Sequence, residues 1–136
     1  MLVPCEIAVK CVLPAIRAMI AKELMTKYAL KQAEAAKLLG VSQPAISLYH
    51  RQIRGSAIDL ENDAEILKLI QNLAASLAEG GLTHKDFIPR FCEICRTIRA
   101  KGLMCKLHKA FDPTIDIEKC ELCSLIATEN IKKQRV

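Results

Sequence analysis

The stretch that decides the fold is QAEAAKLLGVSQPAISLY, residues 32–49. Ala, Leu, Lys and Glu favour a short helix at its start, and Gly40 suits the left-handed conformation that ends a helix. Ser42 is a typical N-cap residue and Pro44 fits a first helical turn, which predicts a second helix over about 43–52. The stretch therefore predicts two short helices that meet at a tight turn.

The small and apolar residues of this stretch lie where two crossing helices would touch. Ala36 is small enough for the second helix to approach, and Val41 fills the space between the helices. Three larger residues are predicted to face the core, namely Leu39, Ile46 and Tyr49. The opposite side of the second helix is therefore expected to be exposed.

The same run resembles the Cro/repressor-type, XRE-like helix-turn-helix family. The resemblance implies that the second helix enters the major groove of double-stranded DNA, where Gln can pair with adenine and Pro can meet a thymine methyl group. It also implies a homodimer on paired half-sites. The residues that it places against bases or phosphates are Gln32, Ser42, Gln43, Pro44, Ser47, His50, Arg51 and Arg54, with Lys31 and Lys37 as further phosphate contacts. The alternative is a helical bundle whose polar face is only solvated.

The wider chain is similar to a set of small archaeal predicted transcriptional regulators. In these, a Leu-x-Pro-Cys-Glu segment opens the chain, as at residues 2–6 here, an XRE-like module follows, and a cysteine-rich tail closes it. The resemblance spans nearly the whole length. It implies a ligand set in the tail but no particular metal.

Composition agrees with a helical protein. The 136 residues are 51% hydrophobic and only 4% aromatic, with no Trp, and Ala, Leu, Ile, Lys and Glu dominate. An all-α fold is therefore predicted, a helix-turn-helix bundle with a small metal-stapled helical C-terminal region. Three regions are expected: an XRE-like DNA-binding domain over 1–58, a linker or dimerisation helix over 59–81, and a cysteine-rich metal- or cluster-binding region over 82–136.

Helical periodicity places the remaining helices. It predicts helices over about 14–28 and 62–79, one that begins near Thr83 and must kink or restart at Pro89, and a last helix from about Asp116.

The helix over 62–79 carries one apolar stripe, formed by Ile66, Ile70, Leu73 and Leu77. The spacing of the stripe fits core packing and a dimer seam equally well. A protein that interacts with partners through this helix alone is a further alternative.

Charge is distributed unevenly along the chain, whose net charge is +5. Two basic ends flank an acidic middle, and such ends attract a polyanion such as nucleic acid, although a solvated basic face has the same composition. No run approaches the ~20 apolar residues that a membrane span needs. Glu6, Lys10 and Arg17 interrupt the apolar start, so a cytoplasmic location is expected.

The tail is rich in cysteine. Two C-x2-C pairs lie within residues 92–123, and this spacing lets both sulfur atoms of a pair reach one metal centre. The predicted ligands are four of the five residues Cys92, Cys95, Cys105, Cys120 and Cys123, with His108 as an alternative. The other two cysteines, Cys5 and Cys11, are expected to be buried and inert.

The spacing of the cysteines does not decide which metal they bind. An iron–sulfur cluster of the [4Fe-4S] type is favoured, because the surplus thiol suits redox chemistry and the residues around each pair have helical character. Basic neighbours, Arg99 among them, are expected to lower the pKa of the thiols. A structural zinc site and a metal-free thiol–disulfide switch are the alternatives.

Together these features predict a sequence-specific DNA-binding transcription regulator whose cluster senses redox state, oxygen or iron. The alternative regulator holds a purely structural zinc. No enzymatic activity is expected, because the sequence has no glycine-rich phosphate loop, no paired catalytic carboxylates and no Ser/His/Asp grouping. A small electron-transfer protein is the weaker reading from the enzyme class.

Overall fold

The computed structural model describes residues 2–52, 55–80, 82–116, 118, 120 and 123. In this part of the chain there are seven α-helices and no strand, so the expected all-helical fold is confirmed. The helices are α1 (Pro4–Ile7), α2 (Leu13–Thr26), α3 (Gln32–Leu39), α4 (Gln43–His50), α5 (Ala64–Ala78), α6 (His84–Ala100) and α7 (Cys105–Phe111).

A nearly continuous helical path leads from α1 through a π-helical turn, Ala8–Val12, into α2. In this turn the Leu13 N–H donates to the carbonyl of Ala8, five residues earlier. Pro14 explains the wider turn, because proline has no N–H and its ring crowds the carbonyl four residues before it in an α-helix. The helix expected to begin at Pro14 is found as α2, but the helical path starts upstream of it.

The central helix is α2, which packs on α3, α4, α5 and α6. Its inward face is fully buried at Ile16, Ile20 and Leu24. Burying each of these side chains contributes about 1.5–3 kcal/mol relative to exposure. The buried core of the described chain runs from Ile7 to Met104, and the expected division into three regions stays a prediction.

The apolar stripe of α5 is buried inside the chain. Ile66, Ile70 and Leu73 have no exposed surface and Leu77 is 4% exposed, because α5 packs on α2 and α6. Side chains buried in this way are not available to a second chain. The stripe therefore belongs to the core, the first of the two alternatives that its spacing left open.

Polar contacts join the start of α5 to the end of α6. The Oδ1 atom of Asp63 caps α5 by accepting the N–H groups of Glu65 and Ile66, each at 3.1 Å. The Nζ atom of Lys101 lies 3.1 Å from Oδ1 of Asp63 and 2.6 Å from Oε2 of Glu65. The backbone bond from Ile66 and then the bond from Lys101 hold the pKa of Asp63 below its ordinary value.

The structure refines the predicted helices of the C-terminal half at two points. First, α6 continues through Pro89 without a restart. This proline is the sixth residue of α6, so the carbonyl that loses its partner belongs to the exposed first turn, where water can bind it. Second, α7 forms where no helix was predicted, and the helix expected from about Asp116 lies largely outside the described residues.

Gly55 lies where the chain passes close to α2. Its φ is +79°, and a Cβ there would lie 2.6 Å from the carbonyl oxygen of Pro14 and 2.8 Å from Cβ of Ala18. Gly40 also has a positive φ, +68°, but a Cβ there would meet nothing within 4 Å. A substitution at Gly40 would therefore cause backbone strain alone, whereas one at Gly55 would cause both backbone strain and a steric clash with α2.

We predict that Gly55→Ala destabilises the protein more than Gly40→Ala does. Placing alanine in the left-handed region costs about 1–2 kcal/mol at either position. Gly55→Ala adds overpacking against α2, which costs a further 1–3 kcal/mol or so. Urea unfolding followed by circular dichroism measures both free energies of unfolding. Equal losses in the two variants would contradict the close approach.

Candidate functional site

One side of α4 is buried and the other is exposed. Ala45, Ile46 and Tyr49 are 8%, 0% and 6% exposed. The side chains outside this buried side are the exposed Gln43, Pro44 and His50 and the half-buried Ser47 and Leu48. The structure thus leaves uncovered the side of the helix that the sequence analysis singled out.

The turn before α4 sets the direction of the helix. Gly40 takes the left-handed conformation, and the Val41 N–H donates to the Ala36 carbonyl at 3.0 Å, a pattern that closes the end of α3. The hydroxyl oxygen of Ser42 then accepts the Ala45 N–H at 3.2 Å and caps α4. Ser42 is therefore exposed, and its hydroxyl oxygen already accepts the hydrogen bond that caps α4.

Exposed cations lie directly before α3, on α3 and directly after α4. Lys31, Lys37 and Arg51 are exposed. Among the residues that the structure describes, the ion pairs involve Lys22 and Lys101. None of these three cations is in an ion pair there, so each can interact with another anion.

Two of the predicted DNA contacts are not among these exposed residues. Gln32 is half-buried at the first position of α3. Arg54 lies outside the described residues. In the structure the candidate interface is therefore carried by α4 and by the exposed cations.

Six of the seven cysteines fall into two sets. Cys5, Cys92 and Cys95 line a groove of about 490 Å³ between the N-terminal helical path and α6, and we call them the groove set. Cys105, Cys120 and Cys123 line a pocket of about 350 Å³ beside α7, and we call them the tail set. In the described part of the chain no three His, Cys, Asp or Glu side chains come together as ligands of one metal ion. The five predicted ligands are thus divided between two places.

Arg99 lines both the groove and the pocket. Its Nη1 atom lies 3.9 Å from Sγ of Cys5. Burial alone would lower the pKa of Arg99, but interaction with Cys123 and the charges of Cys5 and Cys95 raise it above the ordinary value. The Nε and Nη2 atoms are buried and have no hydrogen-bond partner among the described residues. A buried donor left unpaired costs about 1–3 kcal/mol, so this guanidinium favours an anionic neighbour.

The expectation that basic neighbours lower the pKa of the thiols is wrong for Cys95 and Cys105. Burial raises the pKa of both, because the charged thiolate loses solvation. The positive charge of Arg99 acts in the opposite direction at Cys95, but burial is the larger effect.

The two N-terminal cysteines differ from each other. Cys11 is 5% exposed, which agrees with the expected buried role. Cys5 is exposed, so the expectation is wrong for it. The sequence analysis missed the pairing of Cys5 with Arg99, since α1 is only four residues long and carries no periodic pattern.

His108 is held by the N-terminal segment. It is buried, and its Nε2 lies 2.7 Å from the carbonyl oxygen of Leu2. A carbonyl only accepts, so Nε2 carries the proton and donates. The Leu2 N–H in turn donates to Oδ2 of Asp112 at 3.0 Å. Nε2 of His108 is therefore engaged and is not free to replace a cysteine as a ligand.

Comparison with protein-family models, with curated proteins and with solved structures finds no match to this chain. Within the described residues, no helix combines the length and the apolar character needed to cross a bilayer.

We predict that Asp112 stabilises the fold in a pH-dependent way. Hydrogen bonds from the Thr114 hydroxyl and the Leu2 N–H lower the pKa of Asp112 to about 2. The carboxylate therefore stabilises the fold above the unfolded-state pKa of about 4, and this contribution is lost as the pH falls towards 2. Asp112→Asn should lower the melting temperature at pH 7.

The measurement is thermal unfolding of both proteins between pH 2 and pH 7. The difference in melting temperature should be largest at neutral pH and should narrow steadily below about pH 4. A difference that stays constant over the whole range would contradict the role of the ionised carboxylate.

Proposed function

We propose that this protein is a sequence-specific transcription regulator that binds double-stranded DNA as a homodimer. The observation that carries the proposal is α4, whose apolar side is buried while its Gln43, Pro44 and His50 are exposed. A helix anchored by one side, with amide and other polar groups on the other, suits the major groove. The function is one of binding, not of catalysis.

The residues of α4 take roles that follow from their positions. Gln43 is the first residue of the helix, the end that contacts base edges in recognition helices, and its amide matches the donor and acceptor of adenine. Ser47 and His50 lie further along α4. The exposed Lys31, Lys37 and Arg51 would neutralise phosphates and fix the orientation of the helix.

A single module of this size contacts few phosphates, so two copies are needed for a stable complex. Two copies would bind half-sites roughly 34–36 Å apart, one turn of the duplex. The apolar stripe of α5 is buried in each chain, so the contact between the copies uses another surface.

We also propose that the cysteines make the regulator responsive, with a [4Fe-4S] cluster favoured as the bound group. Four of the five residues Cys92, Cys95, Cys105, Cys120 and Cys123 would hold it, which requires ligands from both the groove set and the tail set. When bound, such a cluster supplies reversible electron transfer. The unpaired donors of Arg99, which lines both places, fit a thiolate-rich anionic centre. Structural zinc and a metal-free switch use the same thiols and are the alternatives.

For DNA binding, we predict two kinds of loss. Gln43→Ala should weaken binding to a site selected from random duplexes by about 1–3 kcal/mol and change binding to unselected DNA little. Arg51→Ala should weaken binding to all duplexes and reduce the salt dependence by about one counterion. Fluorescence anisotropy at several salt concentrations measures both.

The matched control is Lys85→Ala, which removes an exposed cation from α6 and should change neither quantity. A chain that binds no duplex at low salt, or whose α4 and α6 variants lose affinity equally, would overturn the DNA-binding proposal.

For the cysteines, we predict that the chain purified without oxygen is brown and contains iron and sulfide. Removal of the iron should lower the melting temperature, because a group that binds only the folded chain stabilises it. Metal and sulfide analysis of the native chain is the measurement. A colourless protein with stoichiometric zinc would favour the structural site, and one without metal would favour the thiol–disulfide switch.

A further inference from the structure

Cys5 is a thiol that the proposed ligand set does not use. It is exposed on α1, and its sulfur lies 3.9 Å from Nη1 of Arg99, which is 94 residues later in the chain. Cys95 lines the same groove, is half-buried, and is near enough to Cys5 for their charges to interact. Two thiols from distant segments therefore lie at one groove beside one guanidinium.

We propose that Cys5 and Cys95 form a redox-active thiol pair in the metal-free chain, with Arg99 as the positioning residue for Cys5. A peroxide is the oxidant. The resulting disulfide joins the N-terminal helical path to α6.

The difference in exposure gives each sulfur a role. The exposed Cys5 thiolate attacks hydrogen peroxide, so that an S–O bond forms and the O–O bond breaks. After proton transfer, one water molecule is released and Cys5 carries a sulfenic acid. The sulfur of Cys95 then attacks the sulfur of Cys5; an S–S bond forms, the S–O bond breaks, and a second water leaves. In total, two thiols lose two electrons and two protons, and one peroxide becomes two waters.

Arg99 is suited to hold the reacting sulfur. Its Nη1 contacts Cys5, the guanidinium also interacts with Cys95 and Cys123, and its buried Nε and Nη2 atoms have no partner in the described residues, so this side chain has donors for an anionic sulfur. The remaining groove thiol, Cys92, is on the same helix as Cys95 and one turn away from it. A Cys92–Cys95 disulfide would leave the N-terminal path untied, so it is the competing outcome.

The disulfide would act on the part of the chain that leads to the candidate interface. Cys5 lies on α1, which continues through the π-helical turn into α2, and α2 packs on α3 and α4. Tying α1 to α6 would therefore shift the balance between arrangements of α4. This regulatory consequence rests on the proposed DNA-binding function, whereas the disulfide itself does not.

The test uses the full chain, reduced and treated with a chelator, then exposed to an equimolar amount of hydrogen peroxide. Free thiols are alkylated, the protein is digested without reduction, and linked peptides are identified by mass spectrometry. The expected main product links Cys5 to Cys95. Cys5→Ser should abolish it, and Cys11→Ser, which removes a buried thiol from the same helical path, should keep it.

Two variants test the guanidinium. Arg99→Gln should slow the formation of the Cys5–Cys95 link several-fold, and Arg99→Lys, which keeps the positive charge, should restore most of the rate. Circular dichroism before oxidation checks that each variant is folded. Recovery of Cys5 as an alkylated thiol while Cys95 is linked to Cys92 would overturn the proposed Cys5–Cys95 pair. An unchanged rate of disulfide formation in Arg99→Gln would overturn the positioning role of Arg99.

Duplex binding by the reduced and the oxidised chain separates the two proposals. A change in affinity that requires Cys5 supports the regulatory consequence. Equal affinity before and after oxidation overturns that consequence alone. Absence of binding in both states overturns the proposed function and leaves the result for the disulfide standing.

Discussion

The structure depends on the burial of α2. Ile16, Ile20 and Leu24 are fully enclosed by the helices that pack around it, and each contributes about 1.5–3 kcal/mol. A domain of this size is stabilised by only about 5–15 kcal/mol in total, so these few side chains are a large share of the net stability. Because α4 and α6 both pack on α2, one helix positions the candidate DNA-binding side and the groove thiols.

The N-terminal helical path is held to the C-terminal half by polar contacts as well as by packing. Leu2 is bonded through its N–H to Asp112 and through its carbonyl to His108, and Cys5 meets Arg99 a turn later. These contacts add hydrogen bonds to the direct packing of α1 on α7. Chemistry at the cysteines therefore has a direct structural route to α2.

Burial and charge act in opposite directions on the pKa values of the thiols. Burial raises the pKa of Cys95 and Cys105, while Arg99 offers a positive charge and unpaired donors to the sulfurs around it. A half-buried guanidinium beside several thiols is stabilised when some of them become anionic. The same arrangement would favour a thiolate-bound metal centre and a reactive thiol pair, and the proposed measurements distinguish between these.

The sequence by itself determined the features that depend on residues three or four apart: the helical class, the α3–turn–α4 unit with its capped start, and the apolar stripe of α5. It did not determine α7, whose seven residues give too short a pattern, or the partner of the α5 stripe. Only the tertiary structure decided that Cys5 meets Arg99 and that Leu2 holds His108 and Asp112. These contacts join residues 94 to 110 positions apart. Local spacing cannot encode them, because they arise from how whole helices pack.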